Sequence, residues 1–600
     1  MPAPTSHASA SAAASTIACA AAAGSSGLPL AMPGRPARGL DRWTCWASRA
    51  SRSWWAALPL LAAGVALRVA TAFPSHKYPA DADCVIMGLT GLRLLHGHPA
   101  VFFANSRVGA LGAYPAALLF LLFGASRATL AAGPMIVQIL QLAALTLFLR
   151  ELLGARLALW GLPFAAVPPA AVTVWTYMPN GYPEVLLVCT TTLWLAARLA
   201  RLSRPLPAPA PDTEQARGRG GWPTCVALGV SLGIGWWASV QTLTCAGPAL
   251  AWLAWRRPRL VARRRFWALA ALGAVLGALP WIVFNLRYSF PSLRNNFGLR
   301  PVAGLAAALD NARYLVRVNL PQLLASTDGF DGSLPLNPVQ RLLHLPALMI
   351  SIGLSLFAML AIPWLWRGAA AATVGSATES VAAELDGGAA AAVERAALPL
   401  CVLVIAASAG VYLVSFAGSV RDLPVRYVMP IYLVVPVLFA LSLHRLARRH
   451  TALAAMLAAV VVAFNLASTL WPWTAQRRQW AANAVADQRT LRLLTQRQVT
   501  AVIGPYWLVY PLNFLSGERV LAIPIDAATD FRHEIEQLPP APVRWALMSF
   551  HAEDLAPWAR AAGVSGEPCR LGSSFGLLLP RYDVPPKRLR EVLAIAWWRR

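Results

Sequence analysis

Tyr114-Pro115-Ala116-Ala117-Leu118-Leu119-Phe120-Leu121-Leu122-Phe123 is an apolar run whose crossing or not crossing a bilayer fixes the sidedness of everything after it. A membrane-spanning helix needs about 20 apolar residues, so a run of about ten is too short to span and reads as a juxtamembrane or re-entrant helix. The next apolar stretch, about Ala128 to Leu149, then runs inward and delivers Arg150 and Arg156 to the cytoplasm. That agrees with the excess of Lys and Arg in cytoplasmic loops. Counting the short run as a full span would put both arginines outside.

Working outward from that run, the rest of the 600-residue chain is 57% hydrophobic and only 13% charged, with a mean hydropathy of +0.52. Soluble domains carry about a quarter charged residues, so this composition describes a polytopic membrane protein. Its net charge of +26 comes from 52 basic against 26 acidic residues. No aromatic-interleaved basic domain accompanies it, so the charge is assigned to cytoplasmic loops beside anionic lipid rather than to nucleic acid. The 8 cysteines are scattered without CxxC spacing, so neither a disulfide framework nor a zinc site is indicated.

Residues 1–53 are rich in Ala, Ser, Pro and Gly and read as a disordered cytoplasmic tail. The following arrangement, about eleven spans, obeys the positive-inside rule throughout. A first span at about Trp54 to Phe73 follows Arg35, Arg38, Arg42, Arg49 and Arg52. Later ones fall at about Leu157 to Trp175, to Ala200, two between Trp222 and Trp255, Phe266 to Phe284, Leu342 to Trp366, Leu398 to Phe416, Val428 to Leu443 and Ala452 to Trp471. The basic clusters at Arg201, at Arg256 to Arg265 and at His444 to His450 all fall inside. An Ala/Gly-rich linker, 367–396, also lies inside.

The fold class expected is therefore mainly α, a transmembrane module over 54–472. A small C-terminal α/β domain, 473–600, follows the last outward span and lies outside the membrane. Its apolar stretches Val499 to Ile503, Val520 to Ile525, Val543 to Phe550 and Phe575 to Leu579 read as strands.

With that topology, polar groups of the outer loops can converge. Asp81 and Asp83 come from the first loop, Tyr182 and Glu184 from the second, Asn285 and Arg287 from the base of the long loop, and Arg421, Asp422, Arg426 and Tyr427 from the last. Acids suit a general base or a divalent metal ion. Arginines suit bidentate recognition of phosphate. Together they describe activation of an acceptor hydroxyl beside a lipid-borne phosphate. Each has a plainer reading: Asp83 and Glu184 as first-turn helix acids, Arg421 and Arg426 as ion-pair partners of Asp422. The tryptophans and tyrosines, Trp175 and Trp237 among them, read as an aromatic belt, and Arg68 as a snorkelling side chain near the outer end of its span. His76, His96 and His98 have no ligand-like spacing.

These residues resemble the GT-C superfamily of polyprenyl-phosphate-sugar-dependent glycosyltransferases, in its bacterial branch of protein O-mannosyltransferase and lipid A aminoarabinose transferase relatives. The family's Asp at the start of a juxtamembrane helix, followed by the pattern D-x(10)-L-L-x-G, is matched by Asp83, Leu94, Leu95 and Gly97. Tyr114-Pro115 and the run to Gly124 look like its short apolar helix. Asn180 to Glu184 looks like its second acidic loop. Gly235 to Gln241, Pro280 to Asn285, Arg426 to Pro430 and Tyr506 to Arg519 also resemble recurring segments. Two positions depart from the pattern: Cys84 stands where many members have a second acid, and the acid of the second loop is Glu184 rather than Asp.

The resemblance implies an inverting glycosyltransferase of the bacterial inner membrane, acting on the periplasmic or extracellular side. Its donor would be a polyprenyl-phosphate sugar, on undecaprenyl phosphate, and its acceptor a glycan, lipid or protein. Asp83, assisted by Asp81, would be the base, Glu184 would orient the acceptor or a metal, and Arg426, Arg421 and Tyr427 would hold the donor phosphate. Tyr182, Asn285 and Arg287 would contact substrate. A glycan polymerase or ligase using a lipid diphosphate remains an alternative, and so, more remotely, does a transporter. The spans carry almost no midplane charge and show no internal repeat, which disfavours the transporter.

Overall fold

The computed structural model describes residues 55, 57–75, 82–103, 108–177, 179–202, 211–294, 304–325, 381–415, 425–524, 543–549, 551–561, 565–571, 575–580 and 588. The expectations placed on residues 1–53, on Asp81, on the span at 342–366 and on Arg421 and Asp422 lie outside the described residues.

Helix α1, Ala57–Ser75, is followed by α2, Ala82–Leu95. A two-stranded ribbon, β1 Phe102–Phe103 and β2 Val108–Gly109, leads to α3, Ala113–Phe123, the 11-residue helix of the short apolar run. Leu121, Leu122 and Phe123 are exposed on α3, while Ala113, Ala116 and Phe120 are buried. Then come α4 Arg127–Leu153, α5 Ala155–Ala166, α6 Ala170–Thr176, α7 Tyr182–Leu202, α8 Pro211–Ala238, α9 Leu243–Arg256, α10 Arg264–Gly277 and α11 Leu279–Arg287.

After these, α12 Val381–Val414, α13 Val435–Ala447 and α14 Thr451–Gln496 complete the described bundle. Residues 381–396, expected in a linker, belong to α12, as their alanine content favours.

Among the described residues, 5 helices are long and apolar enough to cross a membrane, and up to 7 if each bent pair counts as one span. The bends are 67° between α5 and α6 and 63° between α10 and α11. Pro168-Pro169 and Pro280 sit at these breaks; proline removes a backbone donor and drives the preceding residue out of helical conformation. Pro430 and Pro436 lack backbone donors before and in the first turn of α13, where Met429–Val434 is a 3-10 helix. The stretch from Trp222 to Trp255, expected as two spans, is broken where Ser239 Oγ accepts from Gln241 N at 3.2 Å, between α8 and the 14-residue α9.

Helices α8 and α10 approach backbone to backbone. A Cβ at Gly229 would stand 2.1 Å from Ala270 O, and one at Gly273 2.2 Å from Val226 O. Only glycine fits there, which is how helices gain packing in an apolar solvent that offers no hydrophobic drive.

One end of the bundle gathers basic groups. Arg198 and Arg201 at the end of α7 donate to Glu151 at the end of α4, at 3.2 and 3.0 Å. Arg257 Nε donates to Ala200 O at 2.7 Å, and Trp252 Nε1 to Ala396 O at 2.7 Å. Arg445 in α13 meets Glu394 in α12 through both carboxylate oxygens. The helix ends that the charge rule assigns to one side are thus neighbours.

Beyond the membrane-length part, α14 continues without a break to Gln496, passing through residue 472. A 5-stranded mixed sheet follows, in the order β4-β3-β5-β7-β6: β3 Ala501–Gly504, β4 Leu521–Pro524, β5 Trp545–Ser549, β6 Gly566–Leu571 and β7 Phe575–Pro580. Strands β4, β3 and β5 are parallel; β7 is antiparallel to β5 and β6. The four apolar stretches expected as strands are β3, β4, β5 and β7.

Helix α15, Tyr506–Leu515, links β3 to β4 and lies against α2. Met87, Leu89, Ala116 and Phe120 share one core with Val502, Val509, Leu512, Phe514, Ala546 and Met548. Gly88 makes this possible: a Cβ there would lie 2.8 Å from the Phe514 ring. Burying a side chain such as Phe514 contributes about 1.5–3 kcal/mol. The ion pair of Arg127, at the start of α4, with Asp487 of α14 ties the same two regions.

Candidate active site

The basic end of the bundle has an opposite, where the N-termini of α2, α3, α4 and α7 lie. Asp83 occupies the first turn of α2, where the helix dipole favours an anion, and is half-buried. Its Oδ1 accepts a 2.6 Å hydrogen bond from the hydroxyl of Tyr506, the first residue of α15.

Tyr182 and Glu184 open α7. The chain enters that helix through Gly181 at φ +91°, a conformation side chains rarely adopt, and Asn180 Oδ1 accepts from Tyr182 N at 3.2 Å. Pro183 fits the first turn, where its missing N–H has no partner to lose. Glu184 is 5% exposed, and among the described residues no side chain pairs with either carboxylate oxygen. Its niche exists because residue 112 is glycine: a Cβ there would stand 2.8 Å from Glu184 Oε1. Gly112 immediately precedes α3, so the carboxyl sits beside that helix's N-terminus.

Arg426 and Tyr427 belong to a 3-10 turn, Val425–Tyr427, ahead of α13. Arg426 Nη2 donates to Tyr427 Oη at 2.8 Å, and the guanidinium lies 4.8 Å from the Tyr427 ring centre and 5.4 Å from that of Trp175. Gln241 Nε2 donates to Arg426 O at 2.8 Å and fixes the turn. Arg426 Nε is buried without a partner among the described residues. Burial works against the Arg426 charge, but Tyr182, Tyr427 and Asp83 face it and hold its pKa above the ordinary guanidinium value. Trp175 stands edge-on to Tyr182 with ring centres 5.7 Å apart.

Asp83, Tyr182, Arg426 and Tyr427 therefore share one electrostatic neighbourhood, with Glu184 one residue beyond Pro183. Asn285 and Arg287 are engaged differently. Asn285 is fully buried, its Nδ2 donating to Trp281 O at 2.9 Å and its Oδ1 accepting from Ser292 Oγ at 2.6 Å. That pattern closes the turn after α11. Arg287 is exposed, with its guanidinium 5.7 Å from the ring centre of Tyr288.

Arg68 does not snorkel. It is 4% exposed and donates to the carbonyls of Gly64, Gln138, Ala165 and Ala166 at 2.9–3.2 Å. The α5–α6 break brings two of those carbonyls within its reach, so the interior solvates it better than the interface could.

The sequence reading did not single out Tyr506, Trp175, Gln241 or Gly112. The composition reads Trp175 and Trp237 as belt residues; in the structure Trp237 Nε1 donates to Val101 O at 2.7 Å beside the β1–β2 ribbon. Tyr506 and Gln241 stood inside quoted segments, but nothing local says which side chain of such a segment points at an acid some 420 residues away. Among the described residues no group of three or more His, Cys, Asp or Glu could hold a metal ion.

No family model matches the chain, and no curated protein matches it. Solved structures do. ArnT from Cupriavidus metallidurans bound to undecaprenyl phosphate is similar over 88% of this chain and 98% of its own, with 12% identity and a TM-score of 0.50. The archaeal oligosaccharyltransferase AglB from Archaeoglobus fulgidus, in complex with an inhibitory peptide and a dolichol-phosphate, is similar over 89% of this chain and 75% of its own, with 13% identity and a TM-score of 0.45. The likeness to the first shows the fold. This multi-pass membrane chain shares the fold of that protein.

Proposed function

We propose that this GT-C-fold chain is an integral membrane glycosyltransferase that moves a sugar from a polyprenyl-phosphate carrier to an extracytoplasmic acceptor, with inversion at the anomeric carbon. One observation carries the reading: a carboxylate and a guanidinium far apart in the sequence, Asp83 and Arg426, share a neighbourhood at the non-basic end of the bundle, where Trp175 meets both the Arg426 guanidinium and the Tyr182 ring. The likeness to a protein whose solved structure holds undecaprenyl phosphate supports the choice of carrier.

In this mechanism Asp83 takes the proton of the acceptor hydroxyl as its oxygen attacks the anomeric carbon, and the bond to the carrier phosphate breaks on the opposite face. Asp81 assists from the preceding loop. Arg426 meets the negative charge that grows on the departing phosphate, with Tyr427 orienting it and Arg421 adding a second cation. Such preorganised electrostatic stabilisation is usually the largest catalytic contribution. Arg426 Nε, buried without a partner, is the donor held ready for that phosphate. Glu184 orients the acceptor, its unpaired oxygens awaiting a donor group; a buried carboxylate with no partner is otherwise costly. Tyr182 and Trp175 wall the site.

By the positive-inside rule the arginine-rich end is cytoplasmic, which puts the site and the C-terminal sheet in the periplasmic or extracellular compartment of a bacterial inner membrane.

The test uses membranes containing the full chain and radiolabelled undecaprenyl-phosphate-linked mannose, glucose and aminoarabinose as donors. Asp83→Asn is expected to lower transfer by about 10²–10⁴, the range for loss of a general base. Full transfer by both Asp83→Asn and Glu184→Gln would remove the proposed roles.

A further inference from the structure

We infer that Tyr506, carried by the C-terminal domain, is a positioning residue for Asp83, so that the seating of that domain on α2 sets the orientation of the acceptor base. The inference rests on the assignment of Asp83 as that base.

Two attachments hold α15 against α2. At one, the Tyr506 hydroxyl donates to Asp83 Oδ1 at 2.6 Å, a length typical of a hydroxyl bonded to an ionised carboxylate. At the other, Phe514 packs where Gly88 has no side chain, and its ring also meets Phe120 of α3 at 5.9 Å between centres. Asp83 and Gly88 lie about 7.5 Å apart along α2, and Tyr506 and Phe514 about 12 Å apart along α15, at about 1.5 Å per residue. Contacts so separated fix the angle between the helices as well as their distance.

Tyr506 itself has little freedom. Its ring stands edge-on to Tyr510 and to Trp507, each with centres 5.2 Å apart, and Tyr510 is 4% exposed. Pro505 sets the direction in which α15 leaves β3, and β3 is buried along its whole length. The hydroxyl is thus carried on the first connection of the sheet. A phenol donating to one carboxylate oxygen restricts rotation of the carboxyl plane, which decides where the acceptor hydroxyl must stand. A displacement of about 1 Å in such a geometry is enough to cost about 100-fold in rate.

The variant that tests this is Tyr506→Phe, which removes the hydroxyl and keeps the ring among Tyr510 and Trp507. Transfer from the undecaprenyl-phosphate-linked sugars is measured in membranes with the full chain, as kcat and donor KM, for Tyr506→Phe, Asp83→Asn and the double variant. The expected result is a kcat lower by about 10- to 100-fold, the worth of a hydrogen bond to a charged group, with donor KM within about twofold. In the Asp83→Asn background the same change is expected to cause no further loss of the residual turnover.

An unchanged kcat in Tyr506→Phe, or an equal loss with and without Asp83, overturns the inference. Loss of activity in Asp83→Asn beside an unimpaired Tyr506→Phe removes only this inference. Full activity in Asp83→Asn removes the base assignment and the inference together.

Discussion

The two ends of the bundle differ in how fully their buried charges are paired. At the arginine-rich end the charged side chains satisfy one another: Glu151 with Arg198 and Arg201, and Glu394 with Arg445. At the other end polar atoms are buried and left waiting, both oxygens of Glu184 and Nε of Arg426. Within the membrane part, Arg68 belongs with the first kind, since four backbone carbonyls surround it. Folding alone selects for satisfied groups, because an unpaired buried polar atom costs about 1–3 kcal/mol. On the proposed reading, Glu184 and Arg426 are the groups that a ligand completes.

The largest test of this contrast is on the satisfied end. Replacing Glu394 by Gln leaves Arg445 facing a neutral amide. Breaking a buried pair in this way costs about 3 kcal/mol of stability, read as a lower unfolding midpoint in detergent, with transfer per folded molecule unchanged. A loss of turnover without a loss of stability would erase the distinction between the ends.

On the waiting end, Arg426→Gln is expected to lower kcat by about 10²–10³, as for removal of one donor to a developing anion, with little change in unfolding. Arg426→Lys recovers only part, because an ammonium cannot reproduce the flat guanidinium between Trp175 and Tyr427. A third change sharpens the contrast locally. Gly112→Ala drives a methyl against Glu184 Oε1 and is expected to cost about 1–3 kcal/mol, shared between stability and acceptor KM. Glu184→Gln in the same chain leaves that steric cost and removes the charge.

The smallest effect lies at the seam between bundle and sheet. Burial raises the Asp487 pKa, and the neighbouring Arg127 only partly opposes it. A carboxyl with a raised folded pKa stabilises the fold below its unfolded value, near 4, and that contribution is lost as pH rises through the folded value. Unfolding midpoints of the native chain should therefore fall relative to Asp487→Asn as pH is raised from about 4. A difference that grows with pH in the other direction would mean that the Arg127 pair outweighs burial.

Much of this was legible locally. Length and hydropathy identified the membrane bundle, the ten-residue run could only be a short helix, and alternation marked four of the five strands. The acids at 83 and 184 and the arginine at 426 stood out because charge is rare in this chain. The bends were less legible, since a proline announces a break but not its angle. The sequence places Asn285 at the base of the long outer loop; in the structure Ser292 and the Trp281 carbonyl take its hydrogen bonds.

By itself the sequence determined which segments are apolar, how long they are and which loops carry the arginines, and those suffice for the class of fold and for the end at which each acid lies. Only the tertiary structure decided that Tyr506 meets Asp83, that Gly112 makes room for Glu184, and that Arg68 turns inward. Those facts depend on contacts between segments far apart in the chain, where one missing Cβ or one bent helix sets the distance. A pattern read along the chain carries hydrophobicity and spacing, but it carries no information about which distant side chain fills the space beside it.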